Sequence, residues 1–147
     1  SCLPQILLCL SAEALGIMEV LNKLTVEYSK TRKQFGAPIG SFQALQHRMV
    51  DNFMAFEQSK SMVYRGICES TSFNKNDIDI NQFLKTAHAV KALIAKNSKQ
   101  IGDESIQIHG GIGMTDELNI GHFVKRLMMI NVLFGDGDFH RQCFSQN

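Results

Sequence analysis

Several features that mark other classes of protein are missing from this chain. It has no tryptophan, only two prolines and a formal net charge of +1 over 147 residues. No basic run could displace counterions from a phosphate backbone, which argues against nucleic-acid binding. The apolar stretch near the start is too short for a membrane span, and it lacks the basic start of a signal peptide. The remaining composition, 44% hydrophobic and 20% charged, is ordinary for a soluble globular domain.

Metal centres are also poorly supported by the sequence. The four cysteines are widely scattered and form no CxxC pair, which predicts reduced thiols in the cytoplasm or a similar compartment. The five histidines share no ligand spacing. A di-iron bundle needs a Glu-x-x-His motif on two helices, and the sequence contains none. We therefore expect no metal site.

Four long segments have apolar residues at helical spacing. From Leu3 to Tyr28 the spacing alternates between four and three residues, as in a helix packed against other helices. Gly36-Ala37-Pro38 ends this pattern, and Ser41 is a good N-cap for the second helix. The predicted buried positions are Leu3, Leu7, Leu10, Ala14, Ile17, Leu21, Leu24 and Tyr28; Phe42, Leu45, Met49, Phe53, Phe56, Val63 and Ile67; Phe83, Ala87, Val90, Ile94, Ile101 and Ile108; and Ile120, Phe123, Leu127, Ile130 and Phe134.

The remaining boundaries come from polar and glycine-rich stretches. Residues 70–76 separate the second and third helices, and Asn76 is predicted to cap the third. Thr115 is predicted to cap the fourth helix, which ends at residues 135–138, and a short tail from Phe139 resumes the helical pattern. No segment alternates with a period of two. The sequence thus predicts an all-α, antiparallel four-helix bundle in one domain over residues 1–147.

Two glycine-centred motifs come directly after long helical patterns. The first is Arg32-Lys33-Gln34-Phe35-Gly36, and the second runs from Gln107 to Met114 with three glycines within four residues. Such a backbone can adopt positive φ and approach a ligand closely. Exposed amide donors together with an arginine suit a phosphate-bearing ligand. A plain helix–helix turn uses the same glycine chemistry and remains the alternative.

These motifs resemble those of the acyl-CoA dehydrogenases. The segment from Thr31 to Gln43 resembles the one that closes the first helix of that family's C-terminal bundle, and Gln107-x-x-Gly110-Gly111-x-Gly113 resembles its second signature. The resemblance covers essentially the whole chain. It implies a flavoenzyme's C-terminal domain, with the family's N-terminal helical and middle β-domains absent from this chain. The start at Ser1, already inside a helical pattern, also leads us to expect a fragment of a longer protein.

The resemblance also implies a cofactor, partners and site residues. The cofactor is FAD, and the partners are an acyl-CoA substrate, other subunits of a homo- or hetero-oligomer, and an electron acceptor such as an electron-transfer flavoprotein. The family removes the α-proton of an acyl thioester with a carboxylate while the β-hydride passes to the flavin. The residues expected to contact a neighbouring subunit's FAD are Arg32, Lys33, Gln34, Phe35, Phe42, Gln43, Gln107, Ile108, His109, Gly110 and Gly111.

The catalytic base is where this chain departs from the family pattern. When the sequence is aligned on Arg126, the usual glutamate position after the fourth helix falls on Gly135, and the alternative position in the first helix falls on Ile6. Asp136, one residue away, is the candidate base that remains. It could equally belong to a glycine-rich helix stop whose aspartates cap the next helical segment.

Three functions therefore stay open. The chain is part of an active FAD-dependent dehydrogenase, or of a base-lacking subunit that completes a partner's FAD site, or it is a bundle used purely for association.

Overall fold

Four long helices and one short helix make up most of the computed structural model, which describes residues 2–34, 36–110 and 117–146. A two-stranded antiparallel pair and a 3₁₀ turn lie between the first two helices. The elements are α1 (Leu3–Thr31), β1 (Lys33–Gln34), β2 (Ala37–Pro38), the 3₁₀ turn (Ile39–Ser41), α2 (Gln43–Asn74), α3 (Ile80–His109), α4 (Glu117–Val132) and α5 (Gly137–Gln146). The predicted all-α bundle is confirmed.

Contacts between helices show that the long helices run alternately up and down. Asn52 pairs with Gln100 and Arg48 with Glu104, so the numbers rise on α2 as they fall on α3. In contrast, Thr25 contacts Ser105 and Tyr28 contacts His109, which makes α1 and α3 parallel. The C-termini of α1 and α3 therefore lie at the same end of the bundle.

The seam of α1 is shifted from the predicted one. Leu7, Ala14 and Leu21 are buried as predicted, but Leu24 is 36% exposed. The buried face also contains residues that are not in the predicted series, namely Pro4, Leu8, Ser11, Met18, Thr25 and Ser29. Small hydroxyl side chains can be buried in a helix seam because they donate to a carbonyl of the preceding turn, as Ser11 does to Leu7 O at 2.7 Å.

Two predicted helix caps are wrong. Ser41 lies in the 3₁₀ turn, where its hydroxyl donates to Pro38 O, and α2 begins at Gln43 without a side-chain cap. At the next connection, α2 continues to Asn74 through most of the polar stretch that was expected to end it. Asp79, not Asn76, caps α3 by accepting a hydrogen bond from the Gln82 amide. The predicted cap Thr115 lies outside the described residues.

The central helix, α3, matches its predicted core closely. All six predicted positions on it are buried, and it packs against each of the other helices. A Cβ added at Gly102 would lie 3.7–3.9 Å from side-chain carbons of Val124 and Leu127 of α4, which is ordinary van der Waals contact. The predicted burial is wrong for Phe53 (59% exposed), and also for Phe42, Ile67 and Phe134, whose side chains are exposed.

Helix α1 is apolar and long enough to cross a membrane by length and composition. Its most apolar 18-residue window has a mean hydropathy of 1.5. Core helices of soluble proteins pass the same test, and here α1 packs against α2, α3 and α4. The expectation of no membrane span stays a prediction.

Candidate functional site

The first motif forms a tight turn at the end of α1. The Arg32 amide donates to Tyr28 O at 3.0 Å, and the Arg32 carbonyl accepts from the Ile39 amide at 2.8 Å, which closes the turn. Gly36 has a φ of +78°, a left-handed conformation that favours glycine. Positive φ was expected of the three-glycine cluster in the second motif, and it occurs here in the first motif. Phe35 and the side chain of Gln34 lie outside the part of the chain that the structure describes.

The second motif begins where α3 ends. Gly110 comes after His109 with a φ of −84°, which other residues can also adopt. Glycine is therefore needed here for steric reasons and not for a positive φ. A Cβ at this position would lie 2.4 Å from the carbonyl oxygen of Ile106. Only glycine lets the chain leave α3 at this angle. Gly111 and the rest of the segment to Asp116 lie outside the described residues.

The two motifs meet at one end of the bundle. The Arg32 guanidinium lies over the Tyr28 ring at 5.4 Å from its centroid, and the Tyr28 ring packs on the His109 ring at 4.4 Å. His109 is buried, and its Nδ1 donates to Ser105 O at 2.8 Å. The Tyr28 hydroxyl is also buried and has no hydrogen-bond partner among the described residues. We name this group of Arg32, Tyr28, His109 and Gly110 the paired turns.

The start of α2 is bound to the same end. Arg48 Nε donates to Glu104 Oε2 at 2.6 Å, and its Nη2 donates to Gln107 Oε1. These hydrogen bonds hold Gln107 on the surface beside the paired turns. Of the other predicted contact residues, Lys33 and Gln43 are exposed and Phe42 is 39% exposed. Ile108 is buried, so its side chain is part of the core.

The donor set at this end suits an anionic ligand with an aromatic group. It has the cationic side chains of Arg32 and Lys33, and Gly110 has no side chain to block approach. It also has the buried Tyr28 hydroxyl, for which the described residues offer no hydrogen-bond partner. A guanidinium binds phosphate oxygens in a fixed geometry. FAD has both a pyrophosphate and aromatic rings, so these residues fit that cofactor. Among the described residues, no group of three or more His, Cys, Asp or Glu side chains could hold a metal ion.

The loop between α4 and α5 contains the residues aligned with the family's base. Gly135 has a φ of +103°, and a Cβ there would lie 2.4 Å from a ring carbon of Phe139. A glutamate therefore does not fit at Gly135 in this conformation. Asp136 is exposed, and its Oδ1 accepts from the Phe139 amide at 2.8 Å, which makes it the N-cap of α5. Ile6, at the other usual position, is half-buried on α1.

Behind this loop lies a buried polar cluster that the sequence analysis missed. Lys91 of α3 is fully buried, and its Nζ donates to the Gly135 carbonyl at 3.0 Å and to the Asn131 carbonyl at 3.5 Å. Burial lowers the pKa of Lys91, whereas the nearby Asp136 carboxylate raises it. The sequence did contain a sign of this cluster, namely a lysine on the predicted buried face of α3, between Val90 and Ile94.

Two histidines complete the cluster. His88 Nδ1 and His140 Nδ1 lie 2.8 Å apart and share a hydrogen bond between α3 and α5. Burial lowers the pKa of His140 to about 4, and the charges of Lys91 and His88 act in the same direction. Burial also lowers the pKa of His88. Both rings are therefore neutral near pH 7.

Comparisons with known proteins agree on one family. The family described as "Acyl-CoA dehydrogenase, C-terminal domain" matches residues 6–147. The chain is 40% identical over 119 residues to the acyl-CoA dehydrogenase IpdE2 of Mycolicibacterium smegmatis, covering 81% of this chain and 34% of that protein. It is 30% identical over 138 residues to an L-prolyl-[peptidyl-carrier protein] dehydrogenase of Serratia, covering 94% of this chain and 34% of that one.

Solved structures give the same answer for the fold. A structure of PigA with FAD and proline superposes with a TM-score of 0.84 at 28% identity, covering 97% of this chain and 36% of that one. Butyryl-CoA dehydrogenase from Megasphaera elsdenii superposes with a TM-score of 0.83 at 25% identity, covering 95% and 35%. The chain thus spans about a third of the length of these relatives. The predicted family, and FAD as that family's cofactor, are confirmed.

Proposed function

Because the chain belongs to the acyl-CoA dehydrogenase family, whose C-terminal domain it matches over residues 6–147, we propose that it supplies the FAD and subunit contacts of an FAD-dependent acyl-CoA dehydrogenase. The reaction proposed for the complete protein is α,β-dehydrogenation of an acyl-CoA thioester. FAD, when bound, accepts the hydride. The domains that precede the bundle in the family would hold the rest of the cofactor.

The observation that carries this proposal is the meeting of the paired turns at one end of the bundle. Arg32 and His109 are 77 positions apart in the sequence, yet the guanidinium and the imidazole stack on the same Tyr28 ring. The Arg32 cation and the end of α3 at Gly110 are thereby brought to one end of the bundle. The full set of proposed FAD contacts is Arg32, Lys33, Gln34, Phe35, Phe42, Gln43, Gln107, Ile108, His109, Gly110 and Gly111.

Four described members of the set have a task that their geometry allows. Arg32 would bind a phosphate oxygen while its position is fixed by the Tyr28 ring. Gly110 would let the cofactor approach the end of α3, since no side chain occupies that space. Ile108 and His109, which are buried, would act through their backbone and by supporting the turn.

Apolar surface on the bundle supports the proposed subunit contacts. Several large apolar side chains on α2 and α4 are more than half exposed, which is typical of surfaces that other domains or subunits cover. They are Val50, Phe53, Met54, Tyr64, Met128, Met129 and Val132. The remaining partners proposed are an acyl-CoA substrate and an electron acceptor such as an electron-transfer flavoprotein, and the proposed location is the cytoplasm.

A second candidate function is favoured by the α4–α5 loop. Gly135 leaves no space for the usual glutamate, and one Asp136 oxygen is used as a helix cap. The chain would then belong to a base-lacking subunit, or an association module, that completes the FAD site of an active partner. In the first candidate, the other carboxylate oxygen of Asp136 takes the α-proton.

The test of the cofactor site is the Arg32→Ala variant of the complete protein. A charge-assisted contact contributes roughly 1.5–3 kcal/mol, so we expect FAD to dissociate at least tenfold faster than from the unchanged protein. Flavin occupancy after extended dialysis measures this. Arg65→Ala, on the exposed middle of α2, serves as the matched control and should retain its flavin. Equal flavin retention in both variants would contradict the proposed contact.

A further inference from the structure

The most unusual residue outside the paired turns is Lys91. Its side chain is completely buried in the centre of α3, and its ammonium contacts two backbone carbonyls, those of Asn131 and Gly135. Asn131 lies in the last turn of α4, and Gly135 lies in the loop after that helix. Lys91 thus connects the middle of the central helix to the segment that leads to Asp136.

The contacts suit an ammonium for electrostatic reasons. The last four carbonyls of a helix lack intrahelical partners, and they carry the negative end of the helix dipole. Lys91 Nζ supplies hydrogen bonds and a positive charge at this position. On the other side, the His88–His140 hydrogen bond ties α5 to α3. The loop at residues 133–136 is therefore fixed to α3 on both sides. Lys91 holds the end of α4 and Gly135, and the histidine pair holds the start of α5.

Stability alone does not explain a buried lysine here. Burying an ammonium costs several kcal/mol unless good partners offset that cost, and an apolar side chain of similar size is often as stable or more so. Among the described residues, no carboxylate forms an ion pair with Lys91 Nζ. Asp136 raises the pKa of Lys91 through its charge, but it makes no direct contact with the ammonium. A methionine would fill the same space at a lower desolvation cost.

We propose that Lys91 is a positioning residue that holds the α4–α5 loop, and with it Asp136, in a single conformation through the Asn131 and Gly135 carbonyls. The inference rests on the proposed function, because that function makes this loop the edge of a reaction site. It assigns Lys91 no contact with substrate or cofactor. Its role is to fix the positive-φ turn at Gly135 against the side of α3.

The experiment compares Lys91→Met and Lys91→Gln in the complete protein. Methionine keeps the length and removes the donor, whereas glutamine keeps one neutral donor. We expect amide hydrogen exchange at Gly135, Phe139 and His140 to accelerate at least tenfold in Lys91→Met and by less in Lys91→Gln. Lys99→Met, an exposed lysine on the same helix, is the matched control and should leave that exchange unchanged.

Two further measurements separate positioning from general stability. The urea midpoint of Lys91→Met should stay equal or rise, while a merely structural lysine would lower it and accelerate exchange throughout α3 and α5. With butyryl-CoA as probe, turnover of the flavin-loaded protein should fall at least tenfold with less than a twofold change in KM.

The outcomes also separate this proposal from the proposed function. Unchanged exchange at Gly135 and Phe139 in Lys91→Met would overturn the positioning role. Faster loop exchange with unchanged turnover would instead count against Asp136 as the base in the proposed function, and would leave the hold of Lys91 on the loop intact. Absence of flavin from the unaltered protein would instead refute the proposed function, and the exchange comparison would still decide whether Lys91 holds the loop.

Discussion

Single glycines decide the backbone at three places in this chain, each for a different physical reason. Gly36 is needed for its positive φ, Gly110 for the space beside the Ile106 carbonyl, and Gly135 for both reasons. A break in the helical pattern was predicted from the sequence at all three positions. The steric reason at Gly110 was not predictable, because it depends on the direction in which the chain leaves α3.

Asp136 gives the prediction that belongs to the residue scale. Asparagine caps helices about as well as aspartate does, so Asp136→Asn should keep the fold and the flavin of the complete protein. If Asp136 is the base, dehydrogenation of an acyl-CoA should fall by at least about 100-fold, a typical contribution of general-base catalysis. Dye reduction under single-turnover conditions measures this.

Two comparisons make the Asp136→Asn result decisive. Asp138→Asn, a neighbouring exposed aspartate that pairs with Arg141, is the control and should keep full activity. Full activity of Asp136→Asn would exclude it as the base. A complete protein that is active only after a second dehydrogenase-like chain is added would favour the base-lacking subunit.

At the scale of elements, the helices were easier to predict than their ends. The apolar pattern of α3 predicted its core correctly because that helix is surrounded by others, so its pattern is dense. The pattern of α1 was shifted, because Ser11, Thr25 and Ser29 fill the seam with hydroxyl groups that bond to their own helix or across to α3. The cap at Asp79 was missed because Asn76 and Asp79 are equally plausible caps by residue type.

The link between α3 and α5 predicts how stability depends on pH. His140 has a folded pKa of about 4, whereas a histidine in the unfolded chain titrates near 6.5. Between these values the unfolded state binds more protons, so the free energy of unfolding should fall as pH drops from 6.5 to 4. Above 6.5 this contribution is fully present. The loss should reach at most between about 3 and 4 kcal/mol, since the pKa falls by about 2.5 and each pKa unit corresponds to about 1.4 kcal/mol.

Urea unfolding at pH 7 and pH 4.5 tests this linkage. Carboxylates also titrate in this range, so the deciding quantity is the difference between variants. His140→Gln should lose less stability between the two pH values than the unaltered chain. His122→Gln, at an exposed histidine of α4, should lose as much as the unaltered chain. The same pH dependence in all three proteins would contradict the assignment to His140.

At the scale of the whole molecule, two properties of the bundle bear on the proposed subunit contacts. The bundle spans about a third of its relatives' length and leaves large apolar side chains exposed on α2 and α4. Helices α1 and α4 are joined across the surface by Arg126, whose guanidinium donates two hydrogen bonds to the Glu13 carboxylate at 2.7 and 2.9 Å. This pair lowers the pKa of Glu13.

The corresponding prediction concerns the isolated 147 residues. The resemblance implies that the family's middle β-domain contacts the flavin ring, and residues 6–147 match the family's C-terminal domain. The isolated 147 residues should therefore be colourless after purification. They should also fail to reduce a dye in the presence of an acyl-CoA. Visible flavin absorbance, compared with that of the complete protein, measures this. A yellow and active isolated chain would contradict the division of roles proposed here.

The sequence by itself determined the helical class, the family and the two glycine motifs. Helical spacing and residue identity are local properties, and they survive without knowledge of the neighbours. Only the tertiary structure decided that Arg32 and His109 stack on one tyrosine, that a glutamate does not fit at Gly135, and that Lys91 reaches the α4–α5 loop. These facts depend on which surfaces pack together, and residues 40 or more positions apart meet only through that packing.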